Sequence, residues 1–212
     1  MTEAPPQSTL QVLHALRLRS VAPSADVARR LSVDPATVET LLADASTRGW
    51  VRHREGVLAG WALTATGRAE GERLLAQELE ASGTRTTVER AYTSFLELNG
   101  ELLAICTEWQ VVSVDGVEVV NDHRDVERDA GVLARLGRLH AATRPVLELL
   151  DTALDRFGGY GQRLGAAHAR ITSGETEWLT RPTIDSYHTV WFELHEDLLA
   201  TLGRRRTDER PG

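Results

Sequence analysis

The sequence predicts a mainly α-helical chain in two parts, and three observations predict it. Two short helix-like segments separated by a tight turn lie between Ser24 and Arg48, and two strand-like runs follow them. From Thr86 onward, apolar residues recur at three and four, the pattern of long amphipathic helices. The acidity is confined to the second part. Residues 1–85 hold ten Arg and ten acidic residues, whereas residues 86–212 hold fourteen Arg and twenty-one acidic residues, which accounts for the whole net charge of −7. With 212 residues and 42% hydrophobic composition, the chain can bury one medium core or two small ones.

Counted from Ser24, the apolar residues Val27, Ala28, Leu31, Val33, Val38 and Leu41 fall where two steeply crossed helices must pack against each other. Ala28 is small enough for a close crossing. Ser24 is the expected N-cap of the first helix. Ser32 stands in the turn, at a position that favours Gly. Asp34-Pro35 starts the second helix with a cap and a proline at its first position, and Gly49 ends it. Trp50–His53 and Gly60–Leu63 read as strands around a loop from Arg54 to Leu58. Thr64 then caps a helix running to about Ala81. This order defines a winged helix-turn-helix with a small β-wing, a shape that places its second helix in a DNA major groove.

Arg48-Gly49-Trp50-Val51, followed by Trp61-Ala62-Leu63-Thr64-Ala65-Thr66-Gly67-Arg68, resembles the end of a MarR-type or PadR-type winged-helix domain. The resemblance covers about Ser8 to Leu79. It implies a bacterial transcription regulator, homodimeric and responsive to a small molecule. The C-terminal half resembles no family by its motifs.

That half reads as a helical bundle for dimerisation and sensing. A helix of about six turns spans Thr86–Trp109. Val111–Val120, centred on Asp115-Gly116, reads as a short hairpin or as an unpaired loop. Asp122 is the expected cap of the next helix, which Pro145 kinks or restarts. The Gly158-Gly159-Tyr160-Gly161 run reads as a break. A shorter helix follows over Leu164–Ile171, and a last one over Ile184–Leu202, stopped by Gly203. The expected organisation is a DNA-binding domain over residues 1–82, a helical dimerisation and effector domain over 83–206, and a disordered tail over 207–212.

Candidate DNA-facing residues follow from the helix geometry. Ala36, Thr37, Thr40 and Asp44 point away from the core formed by Val38, Leu41, Leu42 and Ala45. Thr methyl and hydroxyl groups suit base edges. Glu39 and Asp44 oppose phosphates, so Arg29, Arg30, Arg48, Arg52 and Arg54 must supply the phosphate contacts. The expected partner is double-stranded DNA with a pseudo-palindromic operator, bound by a homodimer.

In the helical half, His188, Trp191 and His195 share one helix face. With Tyr187, Trp109, His140 and His168 they form a candidate effector pocket. A metal site or ordinary core histidines are the alternatives. No His-x-x-x-His or Glu-x-x-His spacing occurs on that helix, and no metal or cofactor is assigned. Cys106, the single cysteine, reads as a buried thiol with an oxidant-sensing role left open. No nucleophile elbow, phosphate-cradling loop or cysteine cluster is present, so no enzyme is expected. There is no Lys, which fits a GC-rich bacterial coding sequence. No apolar run reaches membrane-spanning length and no signal-peptide pattern is present, so a cytoplasmic location is expected. A winged helix that docks on protein rather than DNA, or a helical protein that binds a small molecule, are the competing readings.

Overall fold

The computed structural model describes residues 6–57 and 59–208, which form eight α-helices and two two-stranded antiparallel sheets. The chain divides into two compact units, Met1–Ala81 with Leu199–Arg205, and Ser82–Leu198 with Arg206–Gly212.

The first unit opens with α1 (Pro6–Arg19), which the sequence reading did not single out. It contributes the buried Leu10, Val12, Leu13, Ala15 and Leu16. α2 (Ser24–Leu31) and α3 (Pro35–Thr47) follow, and Val27, Ala28, Val38, Leu42 and Ala45 are buried with α1 in one apolar cluster. Leu31, Val33 and Leu41 are only partly buried at its edge. Asp34 caps α3, its carboxylate accepting from the Thr37 amide at 3.2 Å. Ser24 does not cap α2. Pro23 takes the N-cap position in extended conformation, and the Ser24 hydroxyl donates to the Glu39 carboxylate instead. Ser32 adopts the left-handed conformation, φ 53° and ψ 39°, which turns the chain from α2 towards α3.

β1 (Val51–Arg54) and β2 (Gly60–Leu63) pair antiparallel in the register Val51↔Leu63 to Arg54↔Gly60. The first strand starts one residue later than expected. Leu58, in the expected wing loop, lies outside the described residues. α4 (Ala65–Ser82) is anchored at its start to the α3–β1 turn. The Thr64 hydroxyl donates to the Gly49 carbonyl at 2.6 Å and accepts from the Gly67 amide at 3.0 Å. The Thr66 hydroxyl also donates to the Gly49 carbonyl, at 2.9 Å. A Cβ on Gly67 would stand 1.8 Å from the Trp50 carbonyl oxygen, so only glycine permits this approach. These contacts explain physically why Thr and Gly occupy these places in the Leu-Thr-x-x-Gly-Arg stretch.

In the second unit, α5 (Arg85–Gln110) and α6 (Val126–Ala153) are the long helices. They run antiparallel, because Arg128 donates to the Glu108 and Val111 carbonyls while Arg135 reaches back to Glu101 and Glu108. Between them, β3 (Val111–Val114) and β4 (Val117–Val120) form the hairpin, with Asp115-Gly116 at its turn. Register puts Val112, Val114, Val117 and Val119 on one face, the last three of them exposed.

Three expectations in this unit need correction, and the alternatives at Pro145 are narrowed. Asp125, not Asp122, caps α6 by accepting from the Arg128 amide at 3.0 Å; Asp122 accepts from the Arg124 amide in the preceding turn. α6 runs through Pro145 without restarting, so the helix forgoes the bond that residue 145 would donate to the Ala141 carbonyl. α7 (Gly159–Thr172) begins inside the glycine run, because the ring of Tyr160 is buried and its hydroxyl donates to Asp197 at 2.9 Å. The break falls earlier, in the 3-10 turn Asp155–Phe157. α8 (Tyr187–Leu202) starts three residues later than expected, with the Thr189 amide bonded to the Ser186 hydroxyl at 3.3 Å. Of the expected tail, residues 207 and 208 belong to the 3-10 turn Arg206–Asp208, and residues 209–212 lie outside the described residues.

Candidate functional site

In the first unit, Ala36, Thr37 and Thr40 are exposed on α3. The Thr40 hydroxyl donates to the Ala36 carbonyl at 2.9 Å, which commits its proton to the helix. The acidic residues of this face are engaged locally: Glu39 accepts from Ser24, and Asp44 pairs with Arg48 at 3.0 Å. Arg48 also stands 5.1 Å from the centre of the Trp50 ring. Arg29 pairs with Asp26 on the same helix turn, and Arg30 is half-buried. Two of the five expected phosphate ligands, Arg29 and Arg48, therefore already neutralise neighbouring carboxylates.

Arg52 and Arg54 differ. Both are exposed on β1, and among the described residues neither has an ion-pair partner. They face Ala62 and Gly60 across the ladder, the smallest residues of β2. Between them, the His53 ring packs edge-on against Trp61 at 5.2 Å. The strand thus presents two guanidinium groups on a short, aromatic-braced ribbon.

In the second unit, the structure brings together only some of the expected ring residues. His140 stacks on His168 with ring centres 4.3 Å apart and planes 8° apart. The Tyr187 hydroxyl lies 3.3 Å from His140 Nδ1. Tyr187 stacks on Trp191, which stacks on Phe95, and His195 leans against Phe95. The Trp191 indole donates to Asn99 at 2.9 Å. Tyr187, Trp191 and His195 are buried, so they form packed core rather than an open wall. His188 is half-buried and takes no part in these ring contacts. Trp109 is separate, at the foot of the hairpin, with the His123 ring 4.3 Å away. There Asn121 donates to the Trp109 carbonyl and to Asp129, and His123 Nδ1 lies 2.8 Å from Asp129.

Burial holds the imidazoles of His140, His168 and His188 below their ordinary pKa, and the neighbouring His168 charge lowers His140 further. Burial pushes the Cys106 thiol up to about 12, which leaves almost no thiolate at neutral pH. Desolvation likewise raises the Tyr187 phenol.

An open cavity of about 500 Å³ lies along α6 and the start of α7. Ala141, Leu147, Phe157, Gly158 and Gly161 supply its apolar surface; His140, Arg144, Glu148 and Asp151 supply its polar groups. Of the seven expected effector residues, only His140 lines it. The remaining lining residues were missed by the sequence reading, although the glycine run at 158–161 marks the place where α7 can approach α6 without side chains. Among the described residues, no group of three or more His, Cys, Asp or Glu is placed to hold a metal ion, and no helix is long and apolar enough to cross a membrane.

Compared with known proteins, the chain matches no family model, no curated protein and no solved structure.

Proposed function

We propose that this protein is a sequence-specific DNA-binding transcription regulator, acting as a homodimer controlled by a small molecule bound in its helical part. The observation that carries this reading is the arrangement of the first unit. A tight helix pair leaves Ala36, Thr37 and Thr40 exposed on its second helix, and the adjoining hairpin offers Arg52 and Arg54, which have no ion-pair partner among the described residues. In a winged helix-turn-helix, that helix meets base edges and that ribbon meets phosphates. The pairing of Asp44 with Arg48 removes much of the repulsion a phosphate would meet there.

A two-fold dimer requires a pseudo-palindromic site with half-sites about 10 bp apart. Selection of random duplex DNA by the purified protein, at two salt concentrations, tests the reading. An enriched inverted repeat is the expected result, and no enrichment at low salt would overturn it. The double substitution Arg52→Ala, Arg54→Ala should weaken binding to every sequence alike. Because both protomers lose two contacts, it should also lower the slope of log affinity against log salt by about 4. An unchanged slope would remove the hairpin from the interface.

A further inference from the structure

We propose that the cavity along α6 and the start of α7 is a binding site for a small organic ammonium ion, a primary amine carried on an apolar ring-sized body. Its control of DNA binding rests on the regulator reading above; its occupancy does not. The volume of about 500 Å³ lies within the range of small-molecule sites, roughly 300–1,000 Å³. Leu147, Phe157 and Gly161 give it an apolar floor suited to a ring.

The polar groups select positive charge. Asp151 has no ion-pair partner among the described residues. Its Oδ1 lies 2.7 Å from where a Cβ on Gly158 would stand, so the bare glycine is what admits the carboxylate to this position. Glu148 is the second carboxylate, shared loosely with Arg144 at 3.6 Å. The rim therefore carries two negative charges against one positive. His140 adds no positive charge at neutral pH, because burial and His168 keep its imidazole neutral. An ammonium group, with three donors and a charge, satisfies such a set. A carboxylate ligand would meet net repulsion, and a neutral one would gain no ion pair with Asp151.

The test is calorimetric titration of the full chain, without DNA, with tryptamine, phenethylamine and cyclohexylmethylamine, each against a carboxylate bearing the same ring. At least one amine should bind saturably, and its carboxylate counterpart should bind at least about ten-fold more weakly. Asp151→Asn should lower amine affinity about ten-fold or more. Gly161→Leu should abolish binding by filling the floor. If that variant does not fold, Asp151→Asn still decides, since it alters one exposed carboxylate. No saturable amine binding, equal binding of amine and carboxylate, or an unaltered Asp151→Asn variant would each overturn the proposal. Duplex selection reads the DNA reading separately, so either can fail while the other stands.

Discussion

Ser32 turns the chain between α2 and α3 in a backbone region that an L-residue with a Cβ disfavours, at φ 53°. The left-handed conformation costs a non-glycine residue on the order of 1 kcal/mol. The close approach of Val33 to α2, where its amide bonds the Ala28 carbonyl at 3.1 Å, holds the turn in that state. Ser32→Gly should therefore raise stability by about 1 kcal/mol, partly offset by the greater freedom of glycine in the unfolded chain. A rise in the urea midpoint at constant slope is the expected signature, and a fall would mean the serine side chain is needed in the turn. The same scale governs the thiol. Burial pushes the Cys106 thiol up to about 12 and leaves it little exposed, which disfavours the thiolate and the access on which oxidant sensing depends.

At the scale of elements, the second unit is distinguished by acidic residues on the inward side of α8. Glu193 and Asp197, one turn apart, are both buried. Arg163 meets Glu193 with two bonds at 2.6 and 3.1 Å and Asp185 with a third at 3.1 Å. Arg156 and the Tyr160 hydroxyl both converge on Asp197. These bonds tie α7 and the turn before it to α8 and so fix one wall of the cavity. Removing one partner leaves a buried charge alone, which costs about 3–5 kcal/mol. Asp197→Ala should show a loss of that size by urea denaturation. Replacing the set together, as Asp197→Leu, Arg156→Met and Tyr160→Phe, should recover most of it. A triple variant no more stable than the single one would show that the contacts do more than neutralise each other.

At the scale of the whole chain, local chemistry was legible and tertiary placement was not. Asp34 and Thr64 announce their helices because a cap bonds within three residues, and Asp115-Gly116 announces its hairpin because the turn needs only those two residues. Ser24 misled because its hydroxyl had a distant competitor, Glu39. α1 was missed because its apolar residues run almost continuously from Val12 to Leu16 and show no clear face. The ring residues His140, His168, Tyr187 and Trp191 do meet, but the cavity beside them depends on how α7 packs on α6, which no spacing reveals.

The three shielded imidazoles give the chain a pH dependence whose sign follows from their burial. The folded protein holds His140, His168 and His188 neutral below the ordinary value of 6.5, whereas the unfolded chain protonates them near it. The unfolded state thus binds more protons in that interval, and stability falls as pH drops through 6.5, levelling off below the folded values. Glu70 and Glu101, held low by bonds from Arg73 and Arg135, act in a separate window. Their contribution is present above 4.5 and is lost only on further acidification. Unfolding free energies from urea at pH 7.5, 6.5 and 5.5 should therefore decline before the carboxylates titrate. His168→Gln should flatten the decline, since it removes one shielded ring and the charge that lowers His140. A wild-type profile flat over that range, or an equal slope in the variant, would show that these rings open to solvent on protonation without loss of fold.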